Sequence, residues 1–382
     1  MLKKLFIGVA LALVIGIVLL YATGHAYILT AIQRTYLAGH ATANIDDHQM
    51  FDTRAISGAA AQPWQPHPDA IGDALTPELL DYLTKNKATA FLVIIDGKLY
   101  AERYFAPYTA QSKTNSFSMA KTVLTLLLGA AIDDGFVTGL DAPVTEWLPE
   151  FADDPNAAGA TLGMLSSMTS GYDWEEHYYS PFSPTVALLY SHDVGEFLLD
   201  RSFSDTPGTR FYYSSASTQL LAIALSRALS RATQGLTLSD YLAAKFWQPM
   251  GMNDDGLWHL DGTGMELAYC CLNTNARNFA KFGQLFLQSG AWQDRQLVDA
   301  SFIDAMHAPG PTEFYGYSTW IDQAAPTPHY AMRGHLGQYV IVVPSRRAVI
   351  VRLGQQMPQG LSLDGELLPF YIEQALPSPD VP

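Results

Sequence analysis

Cations are scarce in this chain: 22 Lys and Arg stand against 37 Asp and Glu over 382 residues, a formal net charge of -15. Binding a phosphate backbone relies on clustered cations that displace counterions, and no basic stripe occurs, so nucleic acid is excluded as a partner. Cysteine is scarcer still. The two present, Cys270 and Cys271, are neighbours. They cannot staple distant segments, so no disulfide framework is expected, only two small buried side chains. Neither a His-Glu-x-x-His motif nor paired Cys-x-x-Cys spacing occurs, so no metal is expected, and no cofactor either. The chain also lacks Gly-x-Ser-x-Gly, which excludes the nucleophile elbow of an α/β-hydrolase. No internal repeat or low-complexity tract stands out.

What is abundant is apolar surface. Hydrophobic residues make up 48% and aromatics 12% of the chain, enough to bury a large core in one large or two intimately joined domains. The longest apolar run, Leu5 to Ala22, follows Lys3 and Lys4 and has about the length needed to cross a roughly 30 Å hydrocarbon layer. The lysine pair before it, and the absence of a basic residue after it until Arg34, put the N-terminus in the cytoplasm and the bulk of the chain outside. Residues 1–26 are read as an uncleaved membrane anchor, with a signal peptide cut near Gly24-His25-Ala26 as the alternative. Residues 27–70 then form a lead-in, 71–375 the folded body and 376–382 a tail. Within the lead-in, 41–68 shows neither helical nor strand periodicity.

The body opens with two β-rich runs between Thr89 and Phe105, broken by the hairpin signal Asp96-Gly97. Helical periodicity follows over Lys121 to Ile132, Pro184 to Leu199, Ser217 to Leu229, Leu238 to Phe246 and Ala276 to Leu287. Strand character returns in Gly316 to Ile321, Gln338 to Pro344 and Arg347 to Gly354. The order describes an α+β protein whose sheet is made from both chain ends, with a mainly helical region inserted between them.

One residue resists this purely structural account. Ser118 sits where a helix N-cap belongs, and capping alone would explain it. Lys121, in the first turn, has the wrong sign for the positive end of the helix dipole, where acidic groups are favoured. An ammonium held there and partly buried loses stability relative to its neutral amine, and three residues' separation brings it within reach of the Ser118 hydroxyl. The same helix end would stabilise an oxyanion formed at Ser118.

Ser-x-x-Lys is the nucleophile and base pair of the penicillin-binding protein and serine β-lactamase superfamily, and this is the one Ser-x-x-Lys in the chain. Companions follow in family order. "TPGTRFYYSSASTQLLAIAL" resembles the Tyr-x-Asn segment, with Tyr213 and Ser215 in the two places. "RGHLGQYVIVVP" resembles the Lys-Thr-Gly strand, with His335, Leu336 and Gly337. "TLGMLSSMTSGYDWEE" and "LNTNARNFAKFGQLFL" resemble a family loop and helix between them. The similarity covers about Phe91 to Leu353 and is nearest to class C β-lactamase-related esterases and 6-aminohexanoate-dimer hydrolases. It implies a β-lactamase/transpeptidase-like fold and covalent acyl transfer to Ser118. Lys121 would be the base and Tyr213 the proton carrier, with the N–H groups of Ser118 and Gln338 as the oxyanion hole. Ser215, His335 and Gly337 would orient groups or border the substrate, and the aromatic cluster with Tyr172 and Trp174 would form the cleft rim. Glu175 and Glu176 are read as solvated. Ser215, His335 and Asn278 depart from the family's Asn, Lys and Asp. A histidine gives no fixed positive charge at neutral pH, which moves the expected substrate from β-lactams toward a small-molecule ester, linear amide or peptide. A non-catalytic cell-wall module and a D-amino-acid peptidase are the alternatives.

Overall fold

The computed structural model describes residues 2–40 and 42–378. Helix α1 (Leu2–Ala22) has 21 residues, none of them buried, and is long and apolar enough to cross a membrane. The further helices that matter for the site are α2 (Tyr27–Arg34), α3 (Pro77–Lys85), α4 (Met119–Asp133), α5 (Pro184–Tyr190), α6 (Ser215–Ala232), α7 (Ala276–Leu287) and α8 (Leu367–Ala375).

The main sheet has six strands: β1 (Ala88–Ile95), β2 (Lys98–Tyr104), β3 (Trp320–Asp322), β4 (His329–Gly334), β5 (Gln338–Val343) and β6 (Ala348–Gly354). They lie in the order β2-β1-β6-β5-β4-β3, every pair antiparallel. The first and last parts of the body thus share one sheet, as the α+β expectation requires. Asp96 and Gly97 both take positive φ, +52° and +70°, the conformation a two-residue type I′ hairpin demands. Side chains alternate faces along a strand, so β1 serves two cores at once. Phe91 and Val93 pack with Leu79 and Leu83 of α3 and Tyr371 and Ile372 of α8. Leu92 and Ile94 pack on the other face with α4 and α7. Helix α4 is central to that second layer: every residue from Met119 to Ala131 is buried, and each of its leucines contributes roughly 1.5–3 kcal/mol. This burial makes α4 a rigid support for its own N-terminus.

Three expected elements differ. Pro184 to Leu199 is not one helix but two, α5 and Val194–Leu199, because Asp193 is extended and its carboxylate caps Glu196 N–H at 2.9 Å. In Gly316 to Ile321 only the end is strand, since Ser318 takes φ +50° and its carbonyl and hydroxyl accept from Thr122 and Thr125 of α4. The stretch 41–68, read as aperiodic, carries strand Thr53–Ile56, which pairs with Gly256–His259 about two hundred residues on. Four residues are too few to show a period. That small sheet also contains Leu272–Thr274 and Thr114–Asn115, and so leads directly into Ser118.

Candidate active site

Ser118 stands at the N-cap of α4 with φ -64° and ψ -6°, yet its side chain makes no capping bond. The hydroxyl instead accepts from Lys121 Nζ at 3.2 Å. A serine serving only as a cap would bond a backbone N–H of the first turn, so the capping role does not account for this residue. Phe117, just before it, takes φ +45°, which is unfavourable for a bulky side chain. Its N–H donates to Asn115 Oδ1 at 2.8 Å, and Asn115 Nδ2 donates to buried Asp47 at 3.0 Å. The turn that presents Ser118 is therefore held from below by side chains.

Lys121 is 1% exposed. Its three N–H groups go to Tyr269 O at 2.8 Å, Ser118 Oγ at 3.2 Å and Ser215 Oγ at 3.3 Å. Burial lowers its pKa from 10.5 to about 8, against an opposing pull from the Glu176 carboxylate. The amine is thus poised to lose its proton near neutral pH, as a base acting on a neighbouring hydroxyl needs. Tyr213 places its ring 5.1 Å from Lys121 Nζ. Burial raises its pKa, a hydrogen bond with Ser118 lowers it, and Glu176 raises it further. The phenol keeps its proton and can give or return it.

Ser215 is the first residue of α6, whose N-terminus is capped by Ser214. Its N–H and Oγ donate to Glu176 Oε2 at 2.9 Å and Oε1 at 2.6 Å. Glu176 also accepts from Trp174 Nε1 at 2.6 Å and Tyr178 OH at 2.7 Å. The solvated reading of Glu176 is therefore corrected: four donors converge on a carboxylate one side chain away from Lys121.

Across the site, the β4–β5 turn approaches α4 at its start. A Cβ on Gly334 would lie 2.2 Å from the Ser116 carbonyl oxygen, so only glycine permits this approach. Gly337, at φ +79°, lies against buried Arg352, whose guanidinium donates to Leu336 O at 3.0 Å and Gly337 O at 2.7 Å. His335 stacks on Tyr178 at 5.3 Å and meets Phe117 edge-on at 5.6 Å. Burial lowers its pKa from 6.5, so at neutral pH it is an uncharged imidazole.

Ser118, Ser215 and His335 line a cavity of about 290 Å³, together with Tyr178, Tyr179 and Tyr269. Gln338 is wholly buried and paired with Gly334, and its side-chain amide ties His335 O and Gly354 O at 3.1 and 2.6 Å; the group expected to act is its backbone N–H. The residue of this turn that reaches the cavity is His335. Two expected residues, Tyr172 and Trp174, are placed elsewhere. Tyr172 is buried with Phe151 and Phe203 and donates to Leu198 O at 2.6 Å, away from Ser118. Trp174 reaches the site only through Glu176. The rim aromatics are Tyr178 and Tyr179.

Tyr269 was not anticipated, because its contribution to Lys121 is a backbone carbonyl, which no side-chain pattern reveals. Beside it, Cys270 and Cys271 are joined to each other, correcting the expectation of two separate thiols. Cys271 takes φ +71°, and both residues line the cavity. Among the described residues no group of three or more His, Cys, Asp or Glu side chains could hold a metal.

A buried lysine hydrogen-bonded to a serine at the start of a central helix, on an antiparallel sheet, defines a serine hydrolase of the penicillin-binding and β-lactamase type. Residues 80–367 match the Beta-lactamase family over more than half of the chain, and the protein belongs to that family. It is 26% identical over 282 residues to a 6-aminohexanoate-dimer hydrolase of Paenarthrobacter ureafaciens, covering 69% of each chain. Among solved structures it is similar to a Bacillus anthracis protein provisionally assigned as a 6-aminohexanoate-dimer hydrolase. There the TM-score is 0.70 and identity 21%, with 82% of this chain and 88% of that one covered. A penicillin-binding protein from Bacillus halodurans matches with a TM-score of 0.59 and 15% identity, covering 73% and 95% of the two chains.

Proposed function

We propose that the protein is a membrane-anchored hydrolase, with its folded body outside the cytoplasm, that cleaves an ester or linear amide through an acyl-enzyme on Ser118. The observation that carries this reading is Lys121: fully buried, 3.2 Å from Ser118 Oγ, with a pKa brought down to about 8. As the neutral amine it takes the Ser118 proton while Oγ bonds to the substrate carbonyl carbon. The oxyanion is stabilised by N–H groups at the start of α4 and in the 335–338 turn. Collapse breaks the carbon–oxygen or carbon–nitrogen bond, and Tyr213 supplies the proton to the leaving group. Water then attacks the acyl-enzyme, its proton passing back through Tyr213 and Lys121, and releases the acid. Glu176 and Ser215 are positioning residues for Lys121. The neutral His335 favours uncharged groups beside the scissile bond over a carboxylate, which supports esters and linear amides over β-lactams. The similarity to a 6-aminohexanoate-dimer hydrolase supports the same choice.

A panel of short acyl esters, linear amides, D-Ala-D-Ala peptides and nitrocefin, run with a fluorophosphonate label, tests the reading. Turnover of esters or amides and a label that disappears in Ser118→Ala is the expected result. A folded wild type that neither turns over nor takes the label would overturn it.

A further inference from the structure

The cavity at Ser118 is closed on one side by the first folded residues after α1. Ala31, Thr35 and Tyr36 line it, as do Tyr179, Pro181 and Leu189 from the other side. Helix α2 packs on α5, so this wall belongs to the body. The same wall is also within a few residues of the apolar helix. His25, three residues past the end of α1, meets Phe182 edge-on at 5.8 Å, and Phe182 ends the rim segment that carries Tyr179 and Pro181. The mouth of the cavity and the exit of α1 are thus joined by a direct ring contact.

The surface around this junction is apolar where a soluble hydrolase would keep it polar. Leu37 is 79%, Tyr179 69% and Phe182 66% exposed, with Tyr36 and Ile32 exposed beside them. Singly such residues need no explanation, but a cluster on both lips of one opening marks an interaction surface. Tyrosines and aliphatic side chains at the end of a membrane-crossing helix suit the boundary between headgroups and hydrocarbon.

We propose that the cleft opens onto the membrane surface and takes an amphiphilic ester or amide, whose apolar chain passes from the bilayer between the 32–37 and 179–182 lips to reach Ser118. The proposal rests on the acyl-transfer reading above and specifies its substrate. The carbonyl of the amphiphile is attacked by Ser118, its leaving group departs with a proton, and water releases the chain-bearing or head-bearing acid. The bilayer supplies the substrate already concentrated and oriented at the mouth, and the lips spare its chain an exposure to water.

The test uses the full chain in phosphatidylcholine vesicles and two substrates, water-soluble p-nitrophenyl butyrate and p-nitrophenyl palmitate carried in the same vesicles. Leu37→Asp and Phe182→Asp change lip residues that do not line the cavity. The expected result is efficient cleavage of both esters by the wild type, with the paired variants losing at least tenfold on the palmitate and keeping the butyrate rate. Equal loss on both esters, or no loss on either, would overturn the proposal. Cleavage of the butyrate or fluorophosphonate labelling of Ser118 without palmitate cleavage would overturn it while leaving the acyl-transfer reading standing. Absence of labelling and of both activities would remove that reading too.

Discussion

Replacing Lys121 by methionine separates the cost of burying this residue from its use. In the wild type, depression of the lysine pKa from 10.5 to about 8 corresponds to a penalty of ~3 kcal/mol on the charged folded form at neutral pH. Methionine has similar length and no charge, so it removes that penalty. It also leaves the Tyr269 carbonyl without the donor now at 2.8 Å, costing ~1–3 kcal/mol. The two terms nearly cancel, and Lys121→Met should fold with a stability within ~2 kcal/mol of wild type at pH 7. The sign with pH is fixed by the direction of the shift. The folded protein gives up the lysine proton before the unfolded chain does, so the penalty is full below about pH 8 and fades as pH rises toward 10.5. Between pH 7 and pH 10 the wild type should therefore gain ~2 kcal/mol relative to Lys121→Met in urea unfolding. Acylation by a fluorophosphonate should meanwhile fall ~10²–10⁴-fold in the variant. A variant that acylates normally, or a stability difference that stays flat from pH 7 to 10, would refute the buried-base argument.

The rate of acylation in the wild type should follow the neutral fraction of Lys121 around its pKa of about 8, rising ~5-fold from pH 7 to 8 and less than ~2-fold from 8 to 9; a profile flat across this range would count against it. Because Glu176 pulls that pKa upward, Glu176→Gln should move the midpoint of the same profile to lower pH, and a midpoint moving the other way would contradict the assigned geometry. Tyr213→Phe should keep the fold by circular dichroism and lower turnover by ~10²–10⁴, with unchanged turnover ruling out the phenol as proton carrier. Gly334→Ala puts a methyl 2.2 Å from Ser116 O and should cost ~1–3 kcal/mol in unfolding together with acylation; a variant of wild-type stability and rate would mean that the turn is not pressed against α4.

How much of this was legible in the sequence depended on the kind of signal. Asp96-Gly97 announced its hairpin because positive φ at two successive positions restricts residue type, and α7 was bounded correctly at Ala276 and Leu287. The strand β4, with its histidine, methionine and arginine, carried no β-branched run and was not anticipated. The misfit of Lys121 with the helix dipole was legible locally, yet the same logic favours glutamate at 121, where the fold sets the carboxylate of Glu176 nearby. Ser118, Lys121, Tyr213, Ser215 and His335 could be found because their spacing and order survive in the chain. Glu176 and the Tyr269 carbonyl could not, since one looked like surface charge and the other is backbone. Which side chain of the 335–338 turn faces the cleft depends on φ at Leu336 and Gly337, +58° and +79°, and not on the order of residues.

Catalysis here turns on a covalent bond between Ser118 and the acyl group of the substrate. Intact-protein mass spectrometry of the full chain quenched during turnover of a slow acyl ester, with peptide mapping of the adduct, measures this directly. The expected result is a mass increase equal to the acyl group, located on Ser118, abolished in Ser118→Ala and strongly reduced in Lys121→Met. Turnover with no adduct, or an adduct on another residue that persists in Ser118→Ala, would contradict it.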